Sequence, residues 1–389
     1  MSSLWMAWRC WALVQGQLPQ RSRYRNLPKR MTDGKPVSRE ALLTPANSEH
    51  SDRRVQSSPL GWKTYFVLAV LLICALLAMT LGAFDVDVLS IFFGEASSVQ
   101  EKVLINIRLP RVVLAALVGA SLALSGAALQ GLFRNPLADP GLIGVSSGAA
   151  LGAIFMIVLG GAVNMPASLA PYSISIAAIF GATAVTGLLF AIAQGGGRLS
   201  IVTVLLVGIA INALAGVGIG FFQYISDDSQ LRTLTFWMMG SLGRADWTSL
   251  VPGTVLMLTG FCLLIQTHRQ LDLLQLGEPE AEFMGVDVAY LKKQIVFASA
   301  LGVGAAVSLA GMIGFIGLVV PHLVRFLFGV THRALMYGSV VVGASLLMLA
   351  DTIARIVIVP AEIPVSLITS AIGAPFFLWL IVRDRGLWR

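Results

Sequence analysis

The chain has 389 residues, of which 56% are hydrophobic and 12% charged, and its mean hydropathy is +0.81. Soluble domains carry about 25% charged residues, so this composition excludes an ordinary soluble enzyme. Glycine accounts for 39 residues, and glycine is more frequent in transmembrane helices than in soluble ones. The apolar runs are continuous rather than alternating, which favours an all-α polytopic membrane protein over a transmembrane β-barrel.

The net charge of +7 is concentrated near the N-terminus. Residues 1–60 hold ten Lys or Arg and four Asp or Glu, so the rest of the chain is nearly neutral and no nucleic-acid partner is required. Residues 1–58 mix Pro, Ser, Arg and Gln without a sustained apolar period, which predicts a disordered basic tail. A polybasic segment before the first span favours a cytoplasmic N-terminus. Binding of lipid or of a partner is the alternative role for this tail, and Met31 is an alternative start.

Residues 59–389 form the predicted transmembrane domain. A span needs about 20 mostly apolar residues. The candidate spans are 63–83, 112–133, 142–161, 172–193, 201–225, 249–267, 294–313, 334–358 and 366–382, with a half-length helix at 315–329. These ten segments return the C-terminus to the cytoplasm, and the basic residues Arg383, Arg385 and Arg389 agree with that orientation.

Two nine-residue segments resemble each other. Val118–Gly126 and Val303–Gly311 share five of nine residues. On the predicted topology they run in opposite directions, which indicates an inverted internal repeat of the kind common in transporters. Glycine and alanine at this spacing also serve close helix packing, and both roles are compatible.

Three arginines stand out because they fall at the predicted outer face. Arg108, Arg111 and Arg355 run against the preference for positive charge on the cytoplasmic side. Two interpretations remain open: the side chains snorkel locally, or they form an outward basic patch that docks an acidic partner. Asp351 lies four residues before Arg355, a spacing that predicts an ion pair on one helix face.

Chemical machinery is sparse in this sequence. No Gly-x-x-x-x-Gly-Lys-Ser/Thr loop is present, so the chain lacks that device for binding ATP phosphates. The histidines show no zinc-ligand spacing, and no catalytic set is evident. An ion-coupled secondary transporter is the alternative from another class, but the spans contain almost none of the acidic residues that it would need. The energy for any transport must therefore come from elsewhere.

Residues 268–293 form the longest charged connection in the transmembrane domain. Their pattern predicts two short amphipathic helices, interrupted at Gly277 and Gly285. The apolar face of such a pair packs on its own bundle or on a partner, and a peripheral ATPase is the partner that we expect.

Several motifs occur together in a specific order. The sequence therefore resembles the FecCD family, the permease subunits of ABC importers for iron-siderophores, haem and cobalamin. The resemblance covers about residues 60–386. The motifs lie at 108–111, 125–145, 237–242, 276–278 with Gly285, 315–325, 350–355, 362–364 and 373–375.

The resemblance implies a ten-span homodimeric permease in the bacterial inner membrane, in contact with lipid. Two cytoplasmic ATPase subunits would hydrolyse ATP, and a periplasmic binding protein would deliver the substrate. Arg108, Arg111 and Arg355 match the arginines with which the family docks its binding protein. No permanently bound cofactor or metal is implied.

The resemblance also assigns residues to ATPase coupling within the loop at 268–293. These are Leu276, Gly277, Glu278 and Gly285, which match the ATPase-contacting helices of the family.

The substrate is predicted from residues 224–237, which look like the haem branch of the family. Ferric siderophores and cobalamin are the alternatives. The candidate substrate-pathway residues are Arg232, Trp237, His322 and His332. A structural role competes for both histidines, since Pro-His is a general family feature and His332 lies at a predicted helix start.

Overall fold

The computed structural model describes residues 61–82, 84, 97–163, 165–195, 198–359 and 361–384. The predicted N-terminal tail, with Met31, lies outside these residues, as do Arg385 and Arg389.

Within the described residues the chain is almost entirely helical, which confirms the predicted fold class. The helices are α1 Trp62–Thr80, α2 Ser98–Val103, α3 Leu109–Phe133, α4 Val145–Leu159, α5 Ser173–Ala193, α6 Ile201–Ile225, α7 Asp228–Met238, α8 Trp247–Ile265, α9 His268–Leu274, α10 Glu278–Phe283, α11 Val288–Ala310, α12 Ile316–Phe328, α13 His332–Ile356 and α14 Val365–Asp384. A π-helical turn, Leu104–Arg108, joins α2 to α3, and a small antiparallel hairpin, β1 Gln194–Gly195 with β2 Arg198–Leu199, joins α5 to α6.

Eight of the described helical segments are long and apolar enough to cross a membrane. They are α1, α2 joined to α3, α4 with its following turn, α5, α6, α8, α11 and α13. The apolar helices Ile316–Phe328 and Val365–Leu380 are shorter. Since a span needs about 20 residues, the total of ten stays a prediction.

Polar side chains mark the starts of these helices. Ser200 accepts a hydrogen bond from the backbone N–H of Thr203 before α6, and Asp246 does the same for Ser249 before α8. Each side chain satisfies one of the backbone donors that the first turn of a helix leaves without a partner.

Helix α3 packs against α8, α11, α12 and α13, and small residues set its close contacts. A Cβ atom on Gly126 would lie 1.9 Å from the backbone oxygen of Gly317 in α12. A Cβ atom on Gly119 would lie 2.3 Å from the backbone oxygen of Gly343 in α13. Only glycine permits such backbone contact, which is how membrane helices gain packing energy.

The helix bundle has two ends, which we name by the residues that lie there. The arginine end holds Arg111 at the start of α3 and Asp351 near the end of α13. The loop end holds the two-helix loop, residues 268–287. The predicted loop extended to residue 293; in the structure residues 288–293 belong to α11, which begins at Val288. Since α3 ends and α11 begins at the loop end, the two segments of the predicted repeat lie on antiparallel helices, as expected.

Candidate functional site

Two arginines and two carboxylates form a cluster at the arginine end. The Nε and Nη2 atoms of Arg111 donate to the carboxylate of Asp351 at 2.8–3.0 Å. Its Nη1 donates to both oxygens of Glu362 at 2.9 and 3.0 Å. The Nε of Arg355 lies 3.2 Å from Oδ2 of Asp351, the predicted pair four residues apart. We call Arg111, Asp351, Arg355 and Glu362 the arginine cluster; its formal charge is zero.

Burial explains why the cluster needs its carboxylates. Arg111 is 6% exposed, so little water reaches its guanidinium group and carboxylates have to offset its charge. Asp351 is 1% exposed, so its charge is stabilised by the two guanidinium groups rather than by water. The Glu362 side chain is 47% exposed. Thus the buried carboxylate of Asp351 binds the Nε and Nη2 side of the Arg111 guanidinium, and the half-exposed carboxylate of Glu362 binds its Nη1 side.

Arginines at this end also satisfy the last carbonyl groups of α1. Arg355 donates from Nη2 to the backbone oxygen of Ala78 at 2.9 Å. Arg108 donates from Nη1 to the backbone oxygen of Thr80 at 2.6 Å, and it also donates to the oxygens of Met79 and Phe84. The final carbonyls of a helix have no partner within the helix. The two guanidinium groups therefore cap α1 and fasten it to α3 and α13.

The three arginines of the expected outward basic patch are buried in the part of the chain that the structure describes. Arg108, Arg111 and Arg355 do lie at one end of the bundle, but they are only 4%, 6% and 6% exposed. Asp351 and Glu362 offset the charges of Arg111 and Arg355, and carbonyls at the end of α1 accept from Arg108, so little guanidinium surface is exposed at this end. Docking through them stays a prediction.

The two-helix loop combines a buried face with an exposed apolar face. Leu271, Leu274 and Ala281 are fully buried. By contrast, Leu276 is 61% exposed and Phe283 is 94% exposed. The loop thus packs on its own bundle and also presents apolar surface outward, and packing of that surface on a partner stays a prediction.

The predicted coupling residues lie at the bends of this loop. Gly277, before α10, has φ +143°, and Gly285, after it, has φ +88°; glycine adopts such angles without steric cost. Glu278 begins α10 and pairs with Lys292 of α11, with Oε2 and Nζ 2.7 Å apart. The pair joins the loop to the bundle. The sequence analysis did not single out Phe283, although a lone aromatic residue in an acidic helix was a usable signal.

The structure does not bring the four candidate substrate-pathway residues together. Arg232 is exposed on α7, and Trp237 lines a cavity of about 640 Å³ with Phe236 and Arg244. His322 contacts Phe326 by ring edge at a centroid distance of 5.2 Å.

The fourth candidate, His332, lies at the loop end, where its Nδ1 is 2.7 Å from Oδ1 of Asp272. His332 is the first residue of α13, a helix of 25 residues whose other end therefore lies about 37 Å away. Trp237 lies at the arginine end. The backbone oxygen of Gly240, three residues after it, accepts a hydrogen bond from the backbone N–H of Val365, which closely follows Glu362 of the arginine cluster. The pathway assignment stays a prediction.

A polar network that the sequence analysis missed joins α4 to α6. Ser147 donates to the side-chain oxygen of Asn212 at 2.6 Å, and the Asn212 amide donates to the backbone oxygen of Gly141 at 3.1 Å. Asp139 in turn accepts from the backbone N–H of Gly141 at 2.7 Å. An asparagine inside the long apolar stretch of α6 was the available signal, since such residues need a partner.

Metal binding finds no support in the residues that the structure describes. They contain no group of three or more His, Cys, Asp or Glu side chains that is arranged to hold a metal ion.

Long apolar helices around a charge-neutral buried cluster define a multi-pass α-helical membrane protein. Residues 68–383 match the FecCD transport family. The match covers most of the chain, so the chain belongs to this family, as the motifs indicated.

Curated relatives and a solved structure agree with this assignment. The hemin transport system permease protein HmuU of Yersinia pestis is 47% identical over 321 residues, which is 82% of this chain and 95% of that protein. The vitamin B12 import system permease protein BtuC of Vibrio vulnificus is 40% identical over 338 residues, 86% and 97% of the two chains. A metal-chelate type ABC transporter in an inward-facing conformation matches with a TM-score of 0.74 and 34% identity, covering 82% of this chain and 98% of that chain.

Proposed function

We propose that this chain is the membrane-spanning permease subunit of an ABC importer in a bacterial inner membrane. Its family and its relatives' roles as transport permeases support this function. The chain supplies the passage, and separate ATPase subunits hydrolyse ATP. A homodimer with both termini in the cytoplasm is the assembly that we propose, and cysteine accessibility at the two bundle ends tests its orientation.

The exposed apolar face of the two-helix loop carries this proposal. Phe283 and Leu276 are exposed on the loop while its opposite face is buried, and exposed apolar patches rimmed by polar residues mark interaction sites. An ATPase subunit is the occupant that the family supports.

Co-purification tests this step. Phe283→Ser should reduce the amount of ATPase that co-purifies with the permease, because an aromatic anchor at an interface is worth about 2 kcal/mol or more. Tyr224→Ser is the matched control, since Tyr224 is 88% exposed but lies outside the loop. Equal recovery of the ATPase with both variants would contradict the proposed contact.

Haem is the cargo that we propose, and the 47% identity to a hemin permease supports it. A corrinoid or a ferric siderophore is the competing cargo, as the vitamin B12 relatives illustrate. Uptake into proteoliposomes that contain the full transporter should be measured with haem, cobalamin and a ferric siderophore at equal concentration. Faster ATP-dependent uptake of cobalamin than of haem would refute the haem assignment.

A substrate-binding protein is the proposed partner at the arginine end. Glu362 is the half-exposed member of the arginine cluster, so an acidic group on the partner would have to replace it to reach Arg111. Docking at this end is tested by measuring the affinity of the binding protein for the permease in nanodiscs. Arg108→Gln is the variant, and the amount of bound ATPase checks that the variant folds. Unchanged affinity would contradict a docking role for Arg108.

A further inference from the structure

Three helices meet at one point of the loop end. Asp272 of α9 accepts a hydrogen bond from the backbone N–H of His332, the first residue of α13, at 2.9 Å. Its Oδ1 also lies 2.7 Å from the His332 ring nitrogen Nδ1. Gln275, the residue that caps the end of α9, donates to the backbone oxygen of Gly131 near the end of α3 at 2.9 Å. We call Gly131, Asp272, Gln275 and His332 the junction.

The contacts at the junction cap the ends of two helices. Thr331, before α13, makes no side-chain capping bond, and the carboxylate of Asp272 takes its place at the positive end of the helix dipole. The oxygen of Gly131 belongs to the last turn of α3, where it also accepts a 3.3 Å hydrogen bond from the backbone N–H of Arg134. One short helix thus supplies an acceptor to the start of α13 and a donor to the end of α3.

The junction is closely packed on one side and open on the other. A Cβ atom on Gly131 would lie 2.5 Å from Nε2 of His332 and 3.3 Å from a methyl carbon of Leu271, whereas all four junction residues also line a cavity of about 380 Å³. Helices α3, α9 and α13 are therefore in direct contact here, and the hydrogen bonds of Asp272 and Gln275 oppose a shift of α9 relative to the ends of the two long helices.

The same two long helices are joined at the arginine end. Arg111 of α3 binds Asp351 of α13 through three hydrogen bonds. Between the two ends, the backbones of α3 and α13 approach each other at Gly119 and Gly343. The α3–α13 pair is thus clamped at both ends and packed along its length, over about 30 Å for the 20 residues from Arg111 to Gly131.

We propose that Asp272 and Gln275 are positioning residues that couple the two-helix loop to the α3–α13 pair. Through this pair, a change at the arginine cluster shifts the loop, and a movement of the loop shifts the cluster. The inference rests on the proposed function, in which the binding protein and the ATPase act at these two ends. Packed helices transmit such shifts because close-packed interfaces move between discrete arrangements instead of deforming gradually.

The test uses the complete transporter in nanodiscs, with permease, ATPase and binding protein. Gln275→Ala and Asp272→Ala are compared with Gln270→Ala, a control on α9 of the same residue type as Gln275, whose side chain is half-buried. The readouts are the affinity of the binding protein, the amount of bound ATPase, and the ratio of ATP hydrolysis with and without binding protein.

The junction variants should keep bound ATPase and bind the binding protein within about twofold of wild type. Their stimulation ratio should fall about fivefold or more, the size of a typical coupling between sites. Asp272→Asn should retain more stimulation than Asp272→Ala, because its side-chain oxygen still accepts from the His332 backbone. If Asp272 and Gln275 had a purely structural role, their variants would lose bound ATPase together with stimulation.

Two results would overturn the inference alone: junction variants that are stimulated like wild type, or variants that lose the ATPase as they lose stimulation. A wild-type permease that binds no ATPase would refute the proposed function and, with it, the inference.

Discussion

Removing the charge of Asp351 tests how the arginine cluster is held. Asp351→Asn leaves Arg355 without a carboxylate partner and leaves Arg111 with Glu362 alone. Because the Asp351 side chain is 2% exposed, water cannot replace the lost charge. Breaking such a buried pair costs about 3–5 kcal/mol of unfolding free energy. Glu362→Gln removes a contact that is 47% exposed, and a solvent-exposed pair contributes about 1 kcal/mol or less.

The unfolding free energy of the purified permease, measured by SDS titration in mixed micelles, separates these two costs. A double-mutant cycle of Asp351→Asn with Arg355→Met adds a second readout. The coupling energy should be about 0.5–3 kcal/mol, since the two side chains are in contact. If Asp351→Asn destabilises the protein no more than Glu362→Gln does, the buried carboxylate is not what holds the cluster.

Three further changes test the packing and the polar network. Gly126→Val should cost about 1–3 kcal/mol or more through overpacking against Gly317, whereas Gly187→Val, where the added Cβ meets no atom within 4 Å, should cost less; thermal unfolding compares them. Asn212→Ala should cost about 1 kcal/mol, because the part-buried oxygen of Gly141 loses its donor while Ser147 still donates to the Gly144 oxygen. Burial raises the pKa of the Asp139 carboxyl despite a hydrogen bond from a backbone N–H, so ionisation opposes folding at neutral pH. Asp139→Asn should therefore be more stable than wild type at pH 7, with the advantage vanishing below about pH 4, as melting curves at several pH values would reveal.

Hydropathy predicted the helices well because burial in lipid imposes a minimum apolar length. The span predicted at 201–225 coincides with α6, and the span predicted at 334–358 differs by two residues from α13. The error was larger for the span predicted at 294–313, since α11 begins at Val288. Lys292 is charged, which hid that turn from a hydropathy criterion, but its pairing with Glu278 lets the helix continue through it.

The site was predictable only where its contacts are local. The pair Asp351–Arg355 follows from a spacing of four residues on one helix, and the structure confirms it. The contact of Arg111 with Asp351 joins residues 240 positions apart. No pattern in a single sequence reports such a pairing, since it depends on how two helices cross. The junction is hidden for the same reason, because Gln275 contacts a backbone oxygen 144 residues away.

The buried cluster also bears on the orientation of the chain. The preference for positive charge on the cytoplasmic side concerns Lys and Arg in short loops and near span ends, and by that count three arginines at the predicted outer face appear unfavourable. In the fold, Asp351 and Glu362 neutralise Arg111 and Arg355, while Arg108 serves as a cap for the carbonyls of α1. The paired guanidinium groups of Arg111 and Arg355 add no net charge to that face, and the charge of Arg108, which the carbonyl dipoles stabilise without cancelling it, is 4% exposed. The predicted orientation therefore does not depend on a docking partner to account for these arginines, and docking has to be established by binding measurements.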